Sequence, residues 1–321
     1  MTYLHRPRGP RLGFGTGALD GRKDRGQQIR LIHAALDAGI CHFDTARLYG
    51  DGTAEGILGE ALKGRRGDVF LVSKAGIIPP TNGTIRRAVN KALTLGGKLP
   101  GAGNALPRPR WNEPLFGQFE IETLRRSLER SLDALDTDYL DLFLLHEANA
   151  EHLEQGDVIE ALERWRKEGL FVGYGIASTP DQTSRILSHK TNVFSTVQTA
   201  QSVFDSLSRP AIARDQFLIT HSWLGAPFAR FQNVFSKDPR FAERAGHVLY
   251  ADVRRPHRLA RCLLEYALHT NREGQVLFTT SKVERIEEMV RVAERPRMTE
   301  KQLESLAVVA KRIEEIEAEP A

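Results

Sequence analysis

A chain of 321 residues exceeds one ordinary two-layer core but matches a single α/β barrel carrying insertions. Hydrophobic residues make up 41% and charged residues 27%, no apolar run approaches the roughly 20 residues that cross a bilayer, and the N-terminal MTYLHRPRGPRLGFGTG lacks an apolar secretory core, so a cytoplasmic protein off the membrane is expected. The net charge of +4 and pI near 9.1 are carried mostly by alternating signs, as in LRRSLERSLDALD, a solvated helix face rather than a nucleic-acid footprint.

In chain order, the first strand-like run is RLGFGTG (11–17). Its GFGTG has the letters of a dinucleotide loop but lacks the third glycine and a helix directly behind it, so a bound dinucleotide would need another geometry. The amphipathic GQQIRLIHAALDAG follows, then ICHFDTA (40–46), the helical AEGILGEALKG and VFLVSK (69–74). Residues 75–117, with seven Gly and six Pro, are expected to form a long irregular connection. Helical IETLRRSLERSLDAL, the strand YLDLFLLH (139–146), helical VIEALERWRKEG, LFVGYGIAS (170–178), helical PDQTSRILSH, FSTVQTA (194–200) and QFLITHS (216–222) come next. Residues 223–256 are expected to be a second long irregular connection, before PHRLARCLLEYALHT, the strand QVLFTTS (275–281), helical KVERIEEMVRVAE and the final helical TEKQLESLAVVAKRIEEIE (299–317). Gly39, Gly64 and Gly169 stand just past helical runs, where a C-cap is expected.

Strands that are nearly continuous apolar runs, alternating with helices, predict a parallel sheet covered on both faces. Eight such units predict an α/β fold: one (β/α)8 TIM-barrel domain over 1–321, long loops at its C-terminal face and an extra C-terminal helix packed outside. Cys41 lies in a strand-like run and Cys262 in a helical one, so both read as small buried hydrophobes; neither a disulfide framework nor a metal site is expected.

The chemistry-bearing residues fall at strand ends. Asp44 ends the second strand, Tyr49 follows five residues later, Lys74 ends the third strand and His146 the fourth. Singly, each has an ordinary reading: a turn-capping aspartate, a packed tyrosine, a solvated lysine, a core histidine. In a closed barrel they would meet at one mouth. Hydride reduction of a carbonyl leaves an alkoxide needing a proton; a tyrosine can give it, a nearby ammonium is expected to lower the phenol's pKa, an aspartate anchors the ammonium, and a histidine polarises the carbonyl.

On LGFGTG, FDTARLYGDGTAEGILGEAL, VFLVSK, SLERSLDALDTDYLDLFLLH, GYGIAS, VQT and TSKVERIEE, the chain resembles the aldo-keto reductase family over essentially its whole length. The resemblance implies a metal-free oxidoreductase acting between an aldehyde or ketone and its alcohol, with Asp44, Tyr49, Lys74 and His146 as catalytic tetrad and Tyr49 as general acid/base. It implies a nicotinamide cofactor extended across the barrel mouth, beside Gly15, Thr16, Gly17 and Asp44. Ser178 and Gln198 would hold its carboxamide, although Ala177 stands where a Ser is typical. His221 would stack on the ring in place of the usual Tyr, with Ser222 and Leu224 following. Thr280, Ser281, Lys282 and Arg285 would grip the adenosine phosphate, with Glu288 a further cofactor contact. The cation at Arg285 suits NADPH; Thr279 where many members have Lys, and Met289 where Asn is usual, leave NADH open. Tyr49, His146, Trp111 and Phe116 are the candidate substrate contacts.

Alternatives remain at this stage. One is an NAD-linked sugar or alcohol dehydrogenase of the same fold. Another is a cofactor-binding regulatory barrel with little turnover, which would not need all four tetrad residues. A hydrolase using Asp44 and His146 lacks a nucleophile elbow. Residues 81–112 hold six basic residues and no acidic one. Arg86, Arg87, Arg108 and Arg110 there are expected to clamp a pyrophosphate or favour an anionic substrate, unless they are ordinary solubilising charge. A small-molecule partner, and no nucleic acid or membrane, is expected; neither the physiological substrate nor the oligomeric state is legible.

Overall fold

Eight short parallel strands pair in chain order and close into a barrel: β1 (Leu12–Gly15), β2 (His42–Asp44), β3 (Phe70–Ala75), β4 (Leu140–His146), β5 (Phe171–Ser178), β6 (Thr196–Ala200), β7 (Phe217–His221) and β8 (Gln275–Phe278). The computed structural model describes residues 7–80, 113–153, 157–190, 193–205 and 216–319. The basic segment, with Arg86, Arg87, Arg108, Arg110 and Trp111, lies outside them.

The strands are buried on both faces because alternate residues serve two cores. Phe70, Val72, Leu142, Leu144, Ala177, Phe217, Ile219 and Leu277 form a compact apolar cluster inside the barrel. The intervening residues, among them Phe14, Phe43, Leu71, Phe143, Ile176 and Val197, join the larger layer between barrel and helices. This two-sided burial is why the strands read as continuous apolar runs. The register fixes what lies at the mouth: Asp44 pairs with Val72, His146 with Ala177, and Gln198 with Ile219. Their side chains therefore share the inward rows of the apolar cluster at its C-terminal end.

One inward row carries a histidine between Gly13 and Phe70. His42 is wholly buried against the edge of Phe70, 5.3 Å between ring centroids, and neither ring nitrogen has a partner. A Cβ on Gly13, its neighbour on β1, would lie 2.9 Å from His42 Nδ1, so the glycine makes room for the imidazole.

Around the barrel run α1 (Arg25–Asp37), α2 (Ala54–Ala61), α3 (Ile121–Leu135), α4 (Asp157–Lys167), α5 (Pro180–Lys190), α6 (Gly225–Lys237), α7 (Pro239–Leu249), α8 (Pro256–Thr270), α9 (Val283–Glu294) and α10 (Glu300–Ala318). The glycines at 39, 64 and 169 take φ of 85°, 76° and 85° at the ends of their helical runs, as the sequence implied. Helix α10 opens with a capping box between Thr299 and Gln302 and packs on α6, α7 and α8, outside the barrel as expected.

The connection after β7 departs from expectation: residues 223–256 carry α6 and α7 rather than an irregular loop. Lys237-Asp238-Pro239 looks like a breaker, yet the Asp238 carboxylate accepts from Phe241 N–H at 2.9 Å and Pro239 sits at the first helical position, so the same residues start a new helix. Phe231, Phe235 and Phe241 meet edge to face in succession, with centroids 5.6 and 5.7 Å apart, across the seam between the two helices.

After β3, Ile78 and Leu115 exchange two backbone hydrogen bonds, at 2.9 and 3.0 Å, as an antiparallel bridge. No described helix is long and apolar enough to cross a membrane. Both cysteines are free; Cys262 is buried, but Cys41 is only half-buried, less than its strand-like setting implied.

Candidate active site

The strand ends bring Asp44, Lys74, Tyr49 and His146 together. Lys74 and Asp44 are 1% and 2% exposed, and Lys74 Nζ donates to Asp44 Oδ1 at 2.5 Å. Its other two protons have acceptors as well: the Thr45 carbonyl at 2.9 Å and the Tyr49 hydroxyl at 3.5 Å. A buried ammonium with three donors is tolerable only when all three are matched, as here. His146 meets the Tyr49 ring edge-on, with centroids 6.0 Å apart.

Tyr49 reaches this position on a tight turn, YGDG, in which Gly50 and Asp51 take φ of 61° and 54°. A Cβ on Gly50 would lie 2.5 Å from the Leu19 carbonyl, so only glycine lets the turn pass under the β1 loop. Gly76 does the same for the Lys74 side, since a Cβ there would lie 2.6 Å from Phe119 and 2.7 Å from the His146 carbonyl.

One support was not foreseen. Glu55 on α2, 1% exposed, accepts from Ser73 Oγ at 2.6 Å and pairs with Arg47 at 3.2 Å. It ties the turn carrying Tyr49 to the strand carrying Lys74. The available signal was a carboxylate sharing the buried face of α2 with Leu58.

Burial sets the charge states. It raises the Asp44 carboxyl above its ordinary value against the pull of the Lys74 ammonium and the Gln198 amide. Burial alone would lower Lys74, but Asp44 and Tyr49 outweigh it and hold the ammonium above its usual range. Tyr49 is pushed up: desolvation, with Asp44 and Glu147, overcomes the downward pull of Lys74. The expected lowering of the phenol is thus corrected; the ammonium acts in the expected direction but burial is larger. His146 is driven down to about 3 by burial, Lys74 and His221, and His221 to about 4 by burial and Lys74, so both imidazoles are neutral at ordinary pH.

These groups open into a cavity of about 970 Å³, at the upper end of small-molecule sites. Of the residues expected to hold a cofactor, Gly15, Gly17, Asp44, Ser178, Gln198, His221, Ser222, Leu224, Thr280, Arg285 and Glu288 all line it. Thr16 does not: it is fully buried behind the wall, its Oγ1 donating to the Asp44 carbonyl at 3.2 Å. Ser281 and Lys282 are exposed and outside the lining, and Phe116, 55% exposed, is also not part of it. Sequence reasoning missed Trp223, His257 and Glu147 as wall residues; Trp223 Nε1 donates to the Leu277 carbonyl at 2.8 Å, closing β7 against β8.

The lining suits an amide-bearing, anionic ligand. Gln198 Oε1 is buried without a partner, an acceptor available for an incoming N–H. The Ser178 hydroxyl donates to the Ala148 carbonyl at 2.7 Å, which leaves its lone pairs to accept. The His221 ring is fixed by Ser222 Oγ at 2.8 Å, with Ser222 at φ 64°. A Cβ at Gly17 or Gly225 would meet nothing within 4 Å, so the chain there leaves open space. Arg285 has no ion-pair partner among the described residues. No group of three or more His, Cys, Asp or Glu among the described residues could hold a metal ion.

Comparison with known proteins adds an independent line. A family profile described as "Aldo/keto reductase family" matches residues 11–311. The chain is 23% identical to the oxidoreductase YqkF of Bacillus subtilis (strain 168) over 310 residues, 91% of this chain and 90% of that protein. It is 29% identical to the methylglyoxal reductase YeaE of Escherichia coli (strain K12) over 170 residues, 53% of this chain and 45% of that protein. An aldo-keto reductase from Bacillus halodurans in its holo form superposes with a TM-score of 0.65 at 21% identity, covering 95% of this chain and 96% of that one. One from Klebsiella pneumoniae in complex with NADPH gives 0.62 at 19%, covering 94% and 91%. At these identities the two structures show a shared fold.

Proposed function

The chain belongs to the aldo/keto reductase family of oxidoreductases, and on that premise we propose that it reduces an aldehyde or ketone with NADPH, using Tyr49 as the proton donor. The observation that carries this reading is Lys74 Nζ bridging Asp44 Oδ1 and the Tyr49 hydroxyl beside His146, at the wall of a cavity large enough for a nucleotide and a small carbonyl. NADPH, when bound, supplies the hydride.

Every other part of the reaction falls to side chains. As the carbonyl oxygen gains electrons it must gain a proton, and the Tyr49 hydroxyl gives it. A phenol pushed above its ordinary value is fully protonated at neutral pH, which suits donation and not abstraction. The resting site is therefore in the protonation state from which reduction starts, and alcohol oxidation through the same site would need the phenol ionised first. The phenolate left behind is stabilised by the Lys74 ammonium, which Asp44 holds in place. His146, neutral, offers a ring N–H to orient and polarise the carbonyl.

Gln198 and Ser178 would hold the carboxamide of the nicotinamide and His221 would lie against its ring. Arg285, with a free guanidinium at the cavity wall, would take the adenosine phosphate, and the NADPH in the Klebsiella neighbour supports that choice over NADH. The methylglyoxal reductase among the relatives supports a small carbonyl as substrate.

Tyr49→Phe tests the assignment. NADPH binding, read by protein fluorescence, should be retained while turnover on a carbonyl panel falls about 10²- to 10⁴-fold. Retained turnover would remove Tyr49 from the reaction.

A further inference from the structure

The residue after His146 is Glu147, and it lines the same cavity as His146 and Tyr49. Its backbone is left-handed, φ 56°, which costs a residue other than glycine about 1 kcal/mol. Two hydrogen bonds hold it there. Its own N–H donates to the Ala177 carbonyl at 2.7 Å, and the carbonyl of the next residue, Ala148, accepts from Ser178 Oγ at 2.7 Å. The end of β4 is thus clamped to the end of β5 on both sides of Glu147, and its placement is part of the rigid rim.

The carboxylate has no ion-pair partner among the described residues. Its charge is felt at the reacting group: Glu147 adds to the burial that raises the Tyr49 phenol. The other ionised groups near that point neutralise each other, since Lys74 is bound to Asp44 and the flanking imidazoles are uncharged. A carbonyl compound delivered to Tyr49 and His146 therefore meets the Glu147 carboxylate, exposed at the rim and without an ion-pair partner among the described residues, in a cavity that Arg285 and Glu288 also line.

We propose that Glu147 determines specificity by charge, accepting carbonyl substrates with hydroxyl donors next to the carbonyl and rejecting those that carry a carboxylate there. This rests on the reductase reading and opposes the preference for anionic substrates expected from the basic segment 81–112. A hydroxyl would give the carboxylate a charge-assisted hydrogen bond. A second carboxylate would face like-charge repulsion at the rim, screened by the solvent that reaches Glu147 and worth up to about tenfold in affinity.

Glycolaldehyde and glyoxylate make a matched pair, one carrying CH2OH and the other a carboxylate beside the same aldehyde. The native protein should prefer glycolaldehyde. Glu147→Gln keeps the shape and removes the charge, and should raise the glyoxylate to glycolaldehyde ratio of kcat/KM by about tenfold, mainly through KM. A second readout needs no turnover: acetate should bind the NADPH complex of Glu147→Gln about tenfold more tightly than that of the native protein, followed by nucleotide fluorescence. A ratio and an acetate affinity both within about twofold of native would overturn the role of Glu147. Tighter acetate binding in a protein that reduces no member of a panel of aldehydes and ketones with NADPH would show that the charge of Glu147 acts on the cavity and would sink the reductase reading instead.

Discussion

Lys74 brings the proposed chemistry and the hydrogen bonding of the site to one nitrogen. Removing it strands Asp44 as an unpaired buried carboxylate, so Lys74→Met should lose about 3–5 kcal/mol in urea unfolding. It should also lose turnover, because nothing else pulls the Tyr49 phenol toward ionisation except that ammonium. Adding Asp44→Asn to Lys74→Met should restore part of the stability and none of the activity, which separates the two roles. The charge states also predict a pH profile. With His146 down at about 3 and Tyr49 above its ordinary value, kcat/KM for reduction should be flat between about pH 6 and about pH 9. An inflection near 6.5 would mean an imidazole titrates during the reaction. Asp44, Lys74 and His146 were legible as polar groups at or near the ends of apolar strands, and Tyr49, on the turn after β2, only by its spacing from Asp44. The direction of the Tyr49 shift was not, since it depends on how completely the hydroxyl is desolvated, a quantity no spacing reports. Glu55 was missed for a related reason: its partners Arg47 and Ser73 come from a turn and a strand, and only the fold brings them to one helix.

At the level of elements, the eight strands were legible to within three residues at either end, the last running to Phe278 rather than 281, because two-sided burial leaves an apolar run wherever a barrel strand passes. The described connections were less so. The stretch after β7 looks irregular because its two helices are joined by Asp238-Pro239, residues that serve equally as loop breakers and as a helix start. Capping decides between the two, and capping is a hydrogen bond rather than a pattern. Asp238→Ala should therefore cost about 1 kcal/mol and lower the thermal midpoint by about 2 °C. Because α7 packs against α10 outside the barrel, turnover should be unchanged.

For the whole molecule, three neutral histidines make the fold acid-sensitive. His42, wholly buried, is driven to about 3 by burial and Lys74, with His146 and His221 lowered in the same way. In the unfolded chain each would titrate near about 6.5. Below that pH the unfolded state takes up protons that the folded state refuses, so stability falls as pH falls. His42 alone accounts for about 1.4 kcal/mol per pH unit until its folded value is reached. His146 and His221, partly exposed at the mouth, add a smaller amount of the same sign. Asp44 offsets part of this, since its raised carboxyl gains a proton in the folded state first. His42→Leu should flatten the dependence of urea unfolding on pH between about 6.5 and about 4.5, and an unchanged slope would contradict its burial as a neutral ring.

The paired backbone of Ile78 and Leu115 bears on how this scaffold tolerates change. The two ends of everything between them emerge side by side, so the barrel registers only that the chain returns, not how far it travelled. Exchanging residues 81–112 for a short Gly-Ser connector would alter closure entropy by about 1–2 kcal/mol at most. A connector of another length between these two anchor points should therefore leave the thermal midpoint of the barrel close to that of the native protein.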